Sequence, residues 1–529
     1  MTDPIVLTGA TLTIADLEAV ARHGGTASLD PDARARVQES RDVIERLVAT
    51  GQVVYGVTTG FGDLATTFIA PADAARLQQN LLMSHAAGVG PAFPIEVVRA
   101  MLLLRANTLA LGHSGCRPLI IDRLLEMIAA GIHPVVPEQG SLGASGDLAP
   151  LAHLALPLIG RGEVEFHGRR VPALVAMREA GLEPISLEAK EGLALLNGTQ
   201  MMSAVGALAL ADADRLARTA SVAAALSVEA LLGTDVAFAA EYQLARPHPG
   251  QVAVAGELRH LLRESSLQTS HHGHAHKVQD PYSLRCVPQV HGAVRDALDY
   301  LRRVLEIELN SATDNPLVFP GGGSADPSAI ATGGGLVISG GNFHGEPIGL
   351  ALDFAKLAVA ELGSISERRT ALLVDARLNG GLPPFLAASS GVDSGLMILQ
   401  YTAAALVSEN KVLVHPATAD SIPTSANQED HVSMGSIAAR HARTVIEHVE
   451  RVISIELIVA AQALDLRLAL LPGTQAGAGV RAAHAAIRTV VPHLDGDREP
   501  GPDLAAALDI VHTGQLASLA GPASSATSD

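Results

Sequence analysis

Residues 140–154, GSLGASGDLAPLAHL, hold the densest group of residue types able to do chemistry. Three glycines and two serines form a turn, and Asp147 leads into an apolar helical run. Taken alone, a turn of this composition is a glycine-rich cap at a helix N-terminus. It is not a hydrolase nucleophile elbow, because Ser145 is followed directly by Gly146 and the G-x-S-x-G spacing fails. A dinucleotide fingerprint fails as well: Gly333 and Gly335 are followed by Ile338 where the third glycine belongs. The run SHHGHAHK carries His271, His272, His274 and His276, four imidazoles able to bind a metal. It contains no carboxylate or thiol, so it reads as a solvated loop and no metal is expected.

The run Ala144-Ser145-Gly146 resembles the hallmark of the aromatic amino-acid ammonia-lyases. In that family these three residues cyclise without help into a methylidene-imidazolone group, so no external cofactor is implied. The residue types suit the reaction. Gly146 offers an unhindered amide nitrogen to attack the Ala144 carbonyl, and loss of water from Ser145 leaves an exocyclic methylene, an electrophile that no standard side chain provides. A helix starting at Asp147 would point its N–H groups and positive dipole end toward this group. The resemblance runs from about residue 5 to about 515, through motifs in family order. VYGVTTGFG carries Tyr55, LLMSHAAGVG carries Ser84 and His85, and LLNGTQ carries Asn197. QDPYSLRC supplies Gln279, Tyr282 and Arg285, NSATDNP follows at 310–316, GGNFHGEP carries Phe343, and SANQEDHVSM carries Glu429.

Within the family, Ser84-His85 stands where members specific for phenylalanine or tyrosine usually show Phe-Leu or His-Leu. Both this pair and NQEDHVSM are similar to the members that act on histidine. An imidazole substrate needs hydrogen-bonding or charged partners, which His85 and Glu429 can provide; a phenyl ring would leave them unpaired. The resemblance therefore implies non-oxidative elimination of ammonia from L-histidine to give trans-urocanate, the first step of histidine degradation. It implies Tyr55 as the base that takes the β-proton, Arg285 as the clamp on the substrate carboxylate, and Asn197 and Tyr282 as partners of the prosthetic group. Gln279 and Phe343 would shape the surroundings, and Glu429 would engage the imidazole or the leaving amine. Thr58 stands where many members have Asn, and Met201-Met202 where smaller residues are common. An aminomutase outcome, another aromatic amino acid as substrate, and a non-catalytic helical scaffold remain as alternatives.

The elements that must position these residues read as helices. Thr13, with Asp16 three residues on, precedes the apolar positions Leu17, Val20 and Ala21, and Gly24 closes the unit. Asp30-Pro31 opens a second helix bearing Val37, Ile44, Leu47 and Val48, which stops at Gly51. Longer periodic stretches cover roughly 94–111, 117–130, 190–233, 286–309, 344–373, 394–414 and 428–468. Several are apolar on more than one face and need partners on several sides. Strand signal is sparse; residues 163–171 alternate around His167-Gly168 as a small hairpin. The fold class is mainly α, and the resemblance implies a fumarase/aspartase-like bundle of long helices. It also implies an N-terminal domain over 1–200, with shorter helices, a lid loop and the prosthetic-group loop, and a second domain over 201–529 with the central bundle and C-terminal helices. A homotetramer, with each site built from several subunits, is implied too.

Composition narrows the class. With 48 % apolar and 17 % charged residues over 529 positions, the chain can bury a large core, and 3 % aromatic content with no Trp makes that core aliphatic. A net charge of −18, from 55 acidic and 37 basic residues, disfavours a nucleic-acid partner. Cys116 and Cys286 cannot build a disulfide framework and fit a reducing compartment. The N-terminal residues lack a basic stretch followed by an apolar one, and no charge-free apolar run reaches membrane-spanning length, so a cytoplasmic protein with no membrane partner is expected.

Overall fold

A computed structural model describes residues 4–52, 54, 56–57, 59, 69–70, 73–271, 278–321, 330–332 and 334–521. Tyr55, Thr58, three of the four clustered histidines (His272, His274 and His276) and the small polar C-terminal stretch lie outside the described residues.

The helix ends follow the local chemistry of the sequence. Thr13 and Asp16 close a capping box around the start of Ile14–Arg22, each side chain accepting the other's backbone N–H. Asp30 accepts the N–H groups of Asp32 and Ala33 at 2.9 Å each, and Pro31–Thr50 ends at Gly51, whose φ of 66° is left-handed. The long stretches form Ile95–Ala110, Pro118–Ala130, Val287–Glu308, Glu346–Val374, Met397–Leu413 and Gly435–Leu470. Every residue from Val97 to Ala110 is buried, which explains why apolar residues occur on all faces of that helix.

One stretch departs from its periodicity. The run 190–233 splits into Glu191–Leu196 and Gln200–Ala230, separated by Asn197, Gly198 and Thr199. Asn197 is extended and Gly198 takes a φ of 142°, which turns the chain sharply between the two helices.

The chain divides into two compact units. The first comprises 1–208, 302–353 and 416–440; the second comprises 209–301, 354–415 and 441–529. Among the described residues the first carries four small sheets. Ile5–Leu7 pairs in parallel with Ala27–Leu29; Glu163–Phe166 and Arg169–Pro172 form the expected hairpin with His133–Pro134 beside it. Val43, Ile44 and Leu47 of one helix pack with Val54, Val57, Ala189, Val318 and Val337 into an aliphatic cluster. In the second unit the regular structure of the described residues is helical. At its centre Arg369 and Glu456, both fully buried, pair through two hydrogen bonds, and Ser227 and Ser366 each donate to Glu456 at 2.6 Å. These bonds satisfy a charge that burial would otherwise make costly. Among the described residues no helix is long and apolar enough to cross a membrane.

Candidate active site

The Ala144-Ser145-Gly146 turn lies in the first unit on the wall of a cavity of about 950 Å³. His85, Asn197, Phe343 and Glu429 line the same cavity, so four segments far apart in sequence meet there.

The turn is clamped through its backbone. Met434 N–H donates to Leu142 O at 2.8 Å, Ser433 Oγ to Gly143 O at 3.1 Å, and Ser436 Oγ to Ser141 O at 2.6 Å. Gly146 has a φ of 74°, and a Cβ there would lie 2.1 Å from Gly198 O, so only glycine lets the turn seat against the break at 197–199. Asp147 N–H donates to that same Gly198 O at 2.7 Å. Among the described residues no hydrogen bond engages the Gly146 N–H.

Asp147 does not cap its own helix. Leu148–Ala155 begins there, but the Asp147 carboxylate turns away and accepts the N–H groups of Met201 and Met202 at 3.0 Å each. It therefore caps a later helix, Gln200–Ala230, and ties that helix start to the Ala144-Ser145-Gly146 turn. Burial pushes its carboxyl up to about 7, against the opposing pull of those two N–H groups.

Asn197 bridges the turn and the core. Its Nδ2 donates to Ser145 O at 2.8 Å, and its own carbonyl accepts Arg105 Nη1 at 2.7 Å. Its Oδ1 is buried without a hydrogen-bond partner. Arg105 is fully buried and its pKa falls to about 10, burial being the cause. Sequence reading missed Arg105 and Asp147. The signal for the first was a cation in the middle of the run 101–110, which is largely apolar, a position that demands a buried partner.

On the opposite side Glu429 Oε1 accepts the Ser145 hydroxyl at 3.0 Å. His85 Nδ1 lies 2.9 Å from Leu81 O, a carbonyl that can only accept, so Nδ1 carries the proton and Nε2 the lone pair. Burial lowers the His85 pKa, outweighing the Leu81 bond and the attraction of Glu429. The site thus offers a neutral imidazole acceptor and a carboxylate in one cavity.

Gln279, Tyr282 and Arg285 belong to the second unit and are not among the described residues lining this cavity. Tyr282 begins a short helix ending at Arg285, and the guanidinium stacks 4.7 Å from the Tyr282 ring centre. Tyr282 is 71 % exposed, Gln279 is exposed, and Arg285 Nε is buried without a hydrogen-bond partner among the described residues. Tyr55 falls outside the described residues.

Known proteins are similar to this chain along nearly its whole length. A histidine ammonia-lyase of Sorangium cellulosum is 54 % identical over 97 % of this chain and 98 % of its own. The crystal structure of histidine ammonia-lyase from Trypanosoma cruzi superimposes with a TM-score of 0.88 at 43 % identity, covering 98 % of this chain and 95 % of that one. Tyrosine aminomutase from Streptomyces globisporus superimposes at 0.90 with 38 % identity, covering 98 % of each chain. These neighbours confirm a mainly α, fumarase/aspartase-like fold. The profile described as aromatic amino acid lyase matches residues 12–489, and the chain belongs to that family.

Proposed function

We propose that the chain is a carbon–nitrogen lyase that eliminates ammonia from L-histidine to give trans-urocanate. The observation that carries this is the pairing, in one cavity, of the Ala144-Ser145-Gly146 turn with the His85 acceptor and the Glu429 carboxylate. The 54 % identity to a histidine ammonia-lyase over the full length supports the substrate.

The turn fits condensation into a methylidene-imidazolone. Attack of Gly146 N on the Ala144 carbonyl carbon expels one water, and loss of the Ser145 hydroxyl with its α-hydrogen expels a second. The free Gly146 N–H, the left-handed φ of 74° and the lack of room for a Cβ all suit that closure. Once formed, the group supplies an electrophilic methylene that draws electron density from the substrate. The Ser145 carbonyl oxygen would remain as the exocyclic oxygen of the ring, and Asn197 Nδ2, 2.8 Å from it, would donate where negative charge collects. Asp147 and Arg105 hold the two sides of this arrangement from behind.

The chain's own residues then divide the work. His85 Nε2 accepts the N–H of the substrate imidazole, which a phenyl ring cannot offer. Glu429, 3.0 Å from Ser145 Oγ, faces the reacting position and takes a hydrogen bond from the substrate ammonium or imidazole. Tyr55 takes the β-proton; a free phenol titrates at about 10, so its phenolate needs stabilisation by nearby positive dipoles. A positioned base of this kind contributes about 10²–10⁴ in rate. Arg285 binds the substrate carboxylate in two-pronged fashion, and Tyr282, Gln279 and Phe343 complete the enclosure.

Arg285 and Tyr282 reach such a site from another copy of the chain in a cytoplasmic homotetramer. Supporting this, Tyr282 stands exposed, and so do Phe354, Leu357, Ile398, Tyr401 and Val412 on helices of the second unit. Light scattering should give a tetramer; a monodisperse, active monomer would refute the shared site.

The direct test is Ser145→Ala with intact-protein mass spectrometry and an absorbance assay on histidine, phenylalanine and tyrosine. The wild-type peptide should weigh two waters less than its sequence, and histidine should give a conjugated acrylate. The variant should keep full weight and lose turnover. An active preparation with an uncyclised turn, or a saturated β-amino acid as product, overturns the assignment.

A further inference from the structure

His344 and His431 stand at the wall of the same cavity with Glu346 beside them, and no step above uses them. We infer that these three side chains form a binding site for a divalent transition metal of the zinc and cobalt class.

One ligand atom from each residue lies within 4.8 Å of the others. Two imidazoles and one carboxylate are the donor set with which zinc keeps a fourth position open. Imidazole donors favour such ions over magnesium and calcium, which prefer oxygen. His344 Nε2 lies 3.2 Å from His431 O, again a carbonyl that can only accept. That bond puts the proton on Nε2 and leaves the Nδ1 lone pair, which among the described residues meets the Glu346 N–H at 3.4 Å. An outer hydrogen bond to a backbone carbonyl is how metal-ligating histidines are usually oriented. The two rings stack at 25° with centres 5.7 Å apart. Among the described residues Glu346 Oε2 is buried without a hydrogen-bond partner, an unmet need that a cation answers.

A carboxylate in the first turn of Glu346–Val374 also meets the helix dipole, which explains the acid but not the two imidazoles beside it. Ligand atoms ~2.1 Å from a tetrahedral ion sit about 3.4 Å apart, so side-chain rotation of roughly an ångström closes the site. Phe343 directly precedes His344, and Glu429 lies two residues before His431. An ion here therefore clamps together two segments 87 residues apart, each carrying a cavity residue. The histidine run at 271–276 is a cluster of imidazoles that are neighbours in the sequence; this cluster is assembled only by the fold.

The experiment adds Co²⁺ to chelator-stripped full-length protein and follows visible absorption, with Zn²⁺ as competitor and thermal unfolding as a second readout. One Co²⁺ per chain should bind with a visible band that Zn²⁺ abolishes, and Zn²⁺ should raise Tm. His431→Ala, at an exposed position that does not empty the core, and Glu346→Gln should each weaken Co²⁺ binding at least about tenfold. The combined His272→Ala, His274→Ala, His276→Ala variant should keep the band. No band at saturating Co²⁺, a band unchanged in His431→Ala and Glu346→Gln, or a band lost only with the 272–276 variant overturns the inference.

Discussion

Thr424 and Glu429 hold each other at three points. The Thr424 hydroxyl donates to Glu429 Oε2 at 3.0 Å, the Thr424 N–H donates to Glu429 O at 3.0 Å, and the Glu429 N–H returns to Thr424 O at 3.3 Å. One carboxylate oxygen is thus fixed by Thr424 while the other meets Ser145. Thr424→Ala should free the carboxylate to rotate and lower kcat about tenfold, about 1.4 kcal/mol in barrier, while Thr424→Ser restores it. Steady-state kinetics on histidine decide the matter; equal loss in Ser and Ala variants would show that the hydroxyl is not the agent.

The chain between them is strained. Ser425, Ala426 and Asn427 take φ of 50°, 54° and 68°, the left-handed region that L-residues avoid. A left-handed residue costs about 1–2 kcal/mol, and glycine's extra unfolded entropy takes back about 0.4–1 kcal/mol. Ala426→Gly should therefore stabilise by about 0.5–1 kcal/mol in denaturant unfolding. A loss of stability would mean that the turn relaxes in solution.

His85 gives the pH dependence a sign. Burial lowers its pKa, so it is neutral at pH 7 and offers Nε2 as an acceptor. The unfolded chain binds this proton more readily, so the stability His85 contributes is present above about 6.5 and lost as pH falls through the lowered folded value. Histidine binding should weaken over the same acid range, seen as a rising KM. His85→Leu should raise KM for histidine by about 10–100-fold and flatten that limb, because one hydrogen bond to a buried partner is lost. Matching acid limbs in wild type and variant would remove His85 from substrate recognition.

Lys190 and Asp314 form a fully buried ion pair at 2.7 Å within the first unit. Lys190→Met should cost about 3–5 kcal/mol, since it strands the Asp314 charge in the core. Adding Asp314→Asn should recover part of that loss. Chemical denaturation of the three variants measures it; additive losses would show that the two groups do not sense each other.

The sequence by itself determined what short-range physics controls. Thr13, Asp16, Asp30, Pro31 and Gly51 set helix ends through bonds to neighbours a few residues away, and the hairpin at 163–172 follows from alternation about His167-Gly168. The Ala144-Ser145-Gly146 turn was legible too, through its resemblance to the family motif, because its three residues are consecutive in the chain. Tertiary structure alone decided the rest. The break at 197–199 has no periodic signature, since it exists to let Asn197 reach Ser145 and to seat Gly198 against Gly146. Asp147 reads locally as a cap for its own helix, yet it serves Met201 and Met202 because folding brings a second helix start within reach. Glu429 meets Ser145 across 284 residues, and His344 meets His431 across 87. Periodicity reports which face of an element is buried; which distant polar groups then share that burial is fixed only when the chain closes on itself.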